Sequence, residues 1–450
     1  MCSDPDLIIL GAGVAGLAAA NELAAAGLKI LIVEARDRIG GRVFTTHDPV
    51  TKFPIELGAE FIHGCPPEIW SLLDENKIPA REVQGETWCV RDGQLRNCDF
   101  FSEVDKVLGK MSDRGSDESF LDFVRRSDPD AEKNPKQKEA VEWARRYVTG
   151  FHAADPALIS VHSLVKGTRA DEEIEGDRAF RIAKGYQALI DVYHRQLSAA
   201  GVSLLLSHVA EQIVWKRGHV EVSSQGNNGL QKSSSRRLLI TVALGVLLAS
   251  PQQRGAIHFT PELPALKQDA LRKLVMGKVI RVTLRFRERF WEHLRPPHGR
   301  QAQTLAELSF LLSHEDWFPT WWTTLPERLP IITGWAPFQC AERLSAQSHE
   351  FVADKALSVL EKLLGVQKHQ LENLLQGADF HDWQNDPFSR GAYSYVCVGG
   401  EGAQQSLAAP VEQTLFFAGE ATDSSGHHGT VHGAVASGKR AAQEILKSTE

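Results

Sequence analysis

Gly11, Gly13 and Gly16, followed by an acid at Glu34, are the first residues of the 450-residue chain whose types and spacing point to chemistry. Leu7 to Leu10 form a short apolar run ahead of them. The alanine-rich stretch Leu17 to Ala26 reads as a helix ended by Gly27, and a second run from Lys29 to Val33 leads into Glu34. Strand, glycine turn, helix, strand and acid in that order are what a dinucleotide site requires. Gly11 permits a tight turn, Gly13 lets backbone approach a pyrophosphate, and Gly16 lets helix and strand pack closely, with Ala15 inside the same turn. Glu34 can accept both ribose hydroxyls, and its charge disfavours a 2'-phosphate. Arg36, Arg38 and Arg42 follow, and guanidinium forks suit phosphate oxygens, although a solvated basic turn has the same composition.

The run Glu34-Ala35-Arg36-Asp37-Arg38-Ile39-Gly40-Gly41-Arg42-Val43 resembles the signature after the second strand in flavin-containing amine oxidases. There two arginines and a glycine pair hold the phosphates and ribose of FAD, which here implies Ala35, Arg36, Gly41 and Arg42. Three distant segments carry the same resemblance. Glu56-Leu57-Gly58-Ala59-Glu60-Phe61-Ile62-His63-Gly64 is similar to the stretch under the flavin ring in polyamine oxidases, implying Gly58, Ala59 and Glu60 as cofactor contacts. Thr241 to Leu247 resembles a strand and turn of the family, with Ala243 in place of its proline. Phe416-Phe417-Ala418-Gly419-Glu420-Ala421-Thr422 with Gly429-Thr430-Val431-His432-Gly433-Ala434 is similar to the C-terminal FAD motif, implying Gly419, Glu420, Thr430 and Val431. A helix starting there would set N–H groups beside the electron-rich edge of a reduced flavin.

The resemblance runs from Asp6 to Leu446 and is closest to the polyamine oxidase branch, the N-acetylpolyamine and spermine oxidases. It implies an α/β, two-domain fold. A Rossmann-like FAD-binding domain of the glutathione reductase and monoamine oxidase type would use residues 4–79, 184–259 and 386–450. A substrate domain of mixed sheet plus helices would use 80–183 and 260–385. Lys184-Gly185-Tyr186 looks like the point of re-entry, and Val209 falls where backbone holds adenine, a place a core valine would fill equally well.

Within the family, Asp382-Trp383 and Phe388 to Val396 resemble the polyamine oxidase and histone demethylase branch, with Trp383 near the flavin. Monoamine oxidases carry a flavin-linked cysteine just before the tyrosine; Ala392 stands there, so FAD should be held non-covalently. Tyr393 would form one wall of the substrate cage and Thr430 the other, an open half-cage that suits a slender amine. The family lysine that holds a water at flavin N5 falls, counted from Phe290-Trp291, on Arg281, while Lys278 is offset to the opposite strand face. Arginine can hold a water but does not exchange a proton as lysine does. The implied reaction moves hydride from a neutral amine to the flavin, hydrolyses the iminium to aldehyde and shorter amine, and reduces O2 to H2O2. His63 would orient the amine or meet its distal nitrogen. The alternatives are an L-amino-acid oxidase, with Arg281 as carboxylate clamp, and an amine dehydrogenase or desaturase that reacts poorly with oxygen. A chromatin-bound demethylase would need a long helical insertion, and no sustained heptad pattern is present.

These residues need elements to carry them. Residues 101–150 have helical periodicity, 203–223 and 236–247 alternate as strands, and the polar stretch from Ser223 to Arg237 reads as a loop and the one candidate for local disorder. Trp317, Phe318, Trp321, Trp322 and Trp335 line a cation channel or fill core. Asp171, Glu172, Glu173, Glu175 and Asp177 form a substrate funnel or a solvated loop. His428 and His432 lack the surroundings of a metal motif, so no metal is expected.

Fifty basic against 57 acidic residues leave a net charge of -7, which argues against nucleic-acid binding. A composition 42% hydrophobic and 24% charged is that of a globular protein. No run of 18 apolar residues and no export signal is visible, and the six cysteines show no CxxC pair. The expectation is a cytoplasmic monomer or homodimer, outside any membrane, with reduced thiols.

Overall fold

The computed structural model describes residues 5–91, 93–296 and 304–448. Cys2, residue 4 of the expected first FAD segment and residues 449–450 of the last lie outside the described residues.

The apolar runs around the glycines become β1 (Leu7–Leu10) and β2 (Ile30–Val33), joined by α1 (Val14–Ala25). They are the centre of a five-stranded parallel sheet, ordered Ser203–Leu205, β2, β1, Arg237–Ile240, Leu415–Phe417. Side chains alternate across it: Leu7 and Ile9 face one core, Ile8 and Leu10 another. On the first face lie α1, helix Gln187–Ala199 and the C-terminal helix Val431–Lys447. A four-stranded sheet covers the second, with Ile213, Trp215, Val220 and Val222 in contact. Burial on both faces is why β1 and β2 are continuous apolar runs rather than alternating ones. Small side chains on α1 let the C-terminal helix come close; a methyl added at Gly438 would lie 2.3 Å from the Ala15 carbonyl oxygen.

A second domain is built on a seven-stranded sheet ordered Leu375–Phe380, Val279–Phe286, Ile331–Pro337, Thr320–Thr323, Leu308–Leu312, Glu86–Arg91, Gln94–Asn97. Its core takes in helix His349–Leu364. The helical region holds Phe100–Leu108, Phe120–Ser127, Pro135–Phe151 and Val161–Glu173, the last three packed around Phe120, Phe123 and Ala144. The aromatic group divides. Phe318 and Trp321 are fully buried core and Trp317 packs on Phe351, whereas Trp322 and Trp335 turn their indole N–H groups toward other segments.

Three expectations are corrected. The strand read over 236–247 ends at Ile240, and Leu244–Leu247 turns into a short helix. The polar stretch from Ser223 to Arg237 is not a disordered loop: His219–Gly226 and Gly229–Ser235 form a hairpin, closed around Asn227 and Asn228. Its stability comes from the backbone ladder and from buried Ser223, Ser224 and Ser235, so apolar alternation does not announce it. The cysteines are not all reduced: Cys89 and Cys98 form a disulfide across hairpin Glu86–Arg91 and Gln94–Asn97, their Cα atoms 5.7 Å apart. The hairpin brings together two cysteines whose spacing alone matches no motif. Cys65, Cys340 and Cys397 are free thiols. Among the described residues no helix is long and apolar enough to cross a membrane.

Trp321 is 0% exposed, and its ring would touch a methyl at Gly334 at 2.8 Å. Trp321→Ala should therefore destabilise by about 3–5 kcal/mol, read from the shift of a denaturant midpoint. A loss under about 1 kcal/mol would show that this core repacks freely.

Candidate functional site

The glycine turn has the shape its sequence implies. Gly11 sits at φ +108°, in the region that favours glycine, and a methyl at Gly16 would stand 2.2 Å from the Gly11 carbonyl oxygen. In contrast, a methyl at Gly13 meets nothing within 4 Å. Space is therefore open at the N-cap of α1, where the N–H groups of Val14, Ala15 and Gly16 have no acceptor one turn back. That combination fits an anionic pyrophosphate. Gly41 closes on the turn from outside, its added methyl 3.1 Å from the Gly13 Cα. Glu34, buried, accepts from the Ala12 N–H at 2.7 Å and the Arg36 N–H at 2.9 Å, leaving further lone pairs for ribose.

Farther along, Ala35, Arg36 and Val209 line a cavity of about 990 Å³ with Phe388 and the hairpin tip at Gly226 and Asn227. At the other end Gly419, at φ +126°, also faces open space, and its N–H donates to Ser437 Oγ at 2.9 Å. Thr430 is the N-cap of the C-terminal helix; its Oγ1 accepts from the Gly433 N–H at 2.9 Å and donates to the His427 carbonyl at 2.6 Å. Val431 opens that helix. Two glycine openings, two helix N-termini and a ribose-competent acid make a donor set that fits a dinucleotide.

The arginines are more committed than their spacing suggests. Arg36 pairs with Asp386 at 2.9 Å, and Arg42 with Glu420 at 2.8 Å and the Ala392 carbonyl at 2.8 Å. Glu420 also accepts from Ser394 Oγ at 2.6 Å and the Gly429 N–H at 2.9 Å, which ties the C-terminal motif to the segment bearing Tyr393.

Gly58 is a seam: a methyl there would fall 1.8 Å from the Arg42 carbonyl oxygen and 3.2 Å from the Trp383 ring. Trp383 is buried and donates to the Leu57 carbonyl at 2.7 Å, while the Ala59 N–H donates to the Arg42 carbonyl at 3.3 Å. Next to this seam, Glu60 joins Arg281 at 2.8 Å and Arg181 at 2.6 Å and accepts from the Trp322 indole at 3.0 Å. Burial alone would raise the Glu60 carboxyl, but Arg281 and Arg181 more than reverse it and hold it below the usual range. Arg281 also donates to the Gly58 carbonyl at 3.1 Å, and its Nε has no partner among the described residues. Lys278, as its offset requires, is elsewhere, paired with Glu342 at 2.6 Å.

His63 and Tyr393 meet at Phe151. The His63 ring lies edge-on to it at 5.3 Å, and the Tyr393 hydroxyl donates to its carbonyl at 2.7 Å. Burial lowers His63 to about 4, so the imidazole is neutral near pH 7, and burial pushes the Tyr393 phenol up. Tyr393 Cδ2 is 3.4 Å from where a methyl at Gly429 would be, one residue from Thr430. The tyrosine is thus locked in orientation and neutral.

Arg181, Glu56 and Asp386 were not singled out by sequence. A signal existed for Arg181, a lone charge between apolar Phe180 and Ile182 in strand Ala179–Ile182. Glu56 accepts from Thr45 Oγ1 at 2.7 Å and from the Tyr186 N–H at 2.8 Å, holding the re-entry turn, and nothing in its spacing marks it.

Two outcomes are expected. Glu60→Gln leaves two buried guanidiniums against one neutral amide and should cost about 3–5 kcal/mol; a loss below about 1 kcal/mol in chemical denaturation would contradict the pairing. Burial raises Glu56 from 4.5 to about 7, against its hydrogen bonds. Its contribution to stability is therefore complete below about 4.5 and lost as pH rises through about 7. Glu56→Gln should remove that slope from denaturation midpoints, and an unchanged slope would reject the assignment.

Comparison with known proteins shows the family of the chain and its fold. The family model for flavin containing amine oxidoreductase matches residues 14–107 and 108–446. Polyamine oxidase 3 of Oryza sativa subsp. japonica is 27% identical over 466 residues, covering 98% of this chain and 89% of the relative. Lysine-specific histone demethylase 1 homolog 2 of Arabidopsis thaliana is 29% identical, and the chain spans 59% of its length. The solved structure of wild-type putrescine oxidase bound to putrescine superposes with a TM-score of 0.79 at 20% identity, covering 99% of both chains, a likeness of fold. With nearly all of its length inside that family model, the chain belongs to the flavin containing amine oxidoreductases.

Proposed function

We propose that the chain is an FAD-dependent amine oxidase acting on a polyamine or related secondary amine. The observation that carries this reading is that the three arginines Arg42, Arg181 and Arg281 at the proposed flavin seam already have acids. Arg281 and Arg181 share Glu60, and Arg42 has Glu420. A substrate carboxylate would have to displace a buried carboxylate to reach Arg281, which disfavours an amino acid. An amine meets neutral groups instead: Tyr393, and His63 with its imidazole lowered to about 4. The polyamine oxidase relatives support the same substrate class.

On this reading residues 4–79, 184–259 and 386–450 form the FAD domain and 80–183 with 260–385 the substrate domain. The first turn of α1 and Gly41 would hold the pyrophosphate, Glu34 the ribose, Val209 and Ala35 the adenine, and Gly58 to Glu60, Gly419 and Val431 the ring. Ala392 leaves it without a covalent link. When bound, FAD supplies a two-electron hydride acceptor. Tyr393 sets the position of the amine carbon, and such positioning contributes much of the rate. His63, uncharged, does not repel the amine, whose reacting nitrogen must be neutral to keep the lone pair that expels hydride. The imine is hydrolysed to an aldehyde and a shorter amine, and O2 takes the electrons to give H2O2. Arg281 would hold a water through a guanidinium that does not exchange protons, so reoxidation is slow. We place the enzyme in the cytoplasm as a monomer or homodimer, with the disulfide shielded by a Cys89 that is 0% exposed.

Anaerobic mixing with spermine, spermidine, their acetylated forms, aryl monoamines and L-amino acids tests this. Polyamines should bleach the visible flavin band, and air should restore it with peroxide. Bleaching by L-amino acids alone would overturn the substrate class, and no recolouring in air would overturn the oxidase.

A further inference from the structure

Among the acids between positions 171 and 177, Glu172, Glu173, Glu175 and Asp177 are exposed, and Glu175 is taken up by Arg178 at 2.7 Å. Asp171 differs. It lies near the end of helix Val161–Glu173, which is wedged between the His63 segment and the loop before the C-terminal helix. On one side a methyl at Gly64 would fall 2.1 Å from the Ile174 carbonyl oxygen, and the Cys65 N–H donates to that oxygen at 2.6 Å. On the other, a methyl at Gly426 would meet the Ala170 Cβ at 2.7 Å.

This wedge brings the Asp171 carboxylate to 4.0 Å from His427 Nδ1, a nitrogen with no hydrogen-bond partner among the described residues. The His427 ring is 4.7 Å from that of His432, which is 4% exposed and whose Nε2 is likewise without a partner among the described residues. Tyr147 lies within the field of Asp171 and stacks on Phe151 at 5.2 Å, the residue that joins His63 to Tyr393. Packed rings therefore lead from the Tyr393 wall toward a half-buried carboxylate that has no arginine or lysine partner among the described residues, in contrast to Glu60 and Glu420. Burial raises its carboxyl to about 6, and a cation placed there would favour its ionised form. Such a carboxylate beside rings is suited to an alkylammonium.

We infer that Asp171, beside His427, is the specificity-determining anion that binds the distal ammonium of a diamine or polyamine while another nitrogen of the same molecule reacts by Tyr393. The inference rests on the amine-oxidising reading above. The test compares spermidine with N-propylbutylamine, which has the same carbon and secondary-nitrogen skeleton without terminal ammonium groups. Saturation of anaerobic flavin reduction gives the apparent Kd and the limiting rate separately.

In Asp171→Asn the spermidine Kd should rise about tenfold or more, as loss of one charged hydrogen bond predicts, with the limiting rate changed less than about twofold. N-propylbutylamine should be unaffected, and Asp171→Glu should keep spermidine within about threefold of the unsubstituted protein. His427→Gln carries the same comparison should the Asn variant not fold: a weaker spermidine Kd with N-propylbutylamine unchanged. Equal effects on both amines, or a spermidine Kd within about twofold of the original, would overturn the inference while leaving the enzyme an amine oxidase. An unsubstituted protein whose flavin no amine reduces would overturn both.

Discussion

One carboxylate, Glu60, holds the two domains in register. It receives Arg281 from the seven-stranded sheet, Arg181 from the strand that leads back to the dinucleotide sheet, and the Trp322 indole from the same large sheet as Arg281. Arg181 spends its remaining donors on the Thr323 and Leu325 carbonyls, and Arg281 reaches the Gly58 carbonyl. Two guanidiniums around one buried acid survive only because backbone carbonyls absorb what the acid cannot. The arrangement fixes the 56–64 segment, and with it His63.

A second constraint is steric. Gly16 and Gly58 stand where a methyl would collide with backbone, and Gly11 where it would press on Thr241 Oγ1, so β1, α1, the arginine turn and the 56–64 segment are in contact along a seam, while Gly13 and Gly419 are left facing space. Tight where segments meet and open where a ligand would lie, the glycines shape the cradle. Charge follows the same economy: Arg36 with Asp386 and Arg42 with Glu420 are neutralised in place. Around Tyr393 this leaves uncharged groups, the phenol itself and the His63 imidazole, and burial among such groups favours the neutral form of an amine.

The unit of β1, α1 and β2 was legible because its physics is local. Turn, helix and strand signals lie within thirty residues, and the glycine spacing is read directly. The Arg281 and Glu60 pair, in contrast, joins residues more than two hundred positions apart, and neither position announces its partner. Arg181 could have been found as a lone charge in an apolar strand. The stretch from Ser223 to Arg237 was misread because, beyond Val220 and Val222, serines take its buried positions, and the Cys89 and Cys98 pair because a hairpin rather than a motif brings them together. The acidic run separated into one inward residue and four solvated ones only when helix Val161–Glu173 was seen wedged between two loops.

All of this presumes that the glycine cradle holds FAD and holds it without a bond. The direct measurement is to precipitate the purified protein with acid, then identify and count the flavin in the supernatant and in the pellet by absorbance and chromatography. The account predicts FAD, close to one per chain, wholly in the supernatant. Flavin retained in the pellet, a flavin lacking the adenylate, or a protein that carries and takes up none would contradict it.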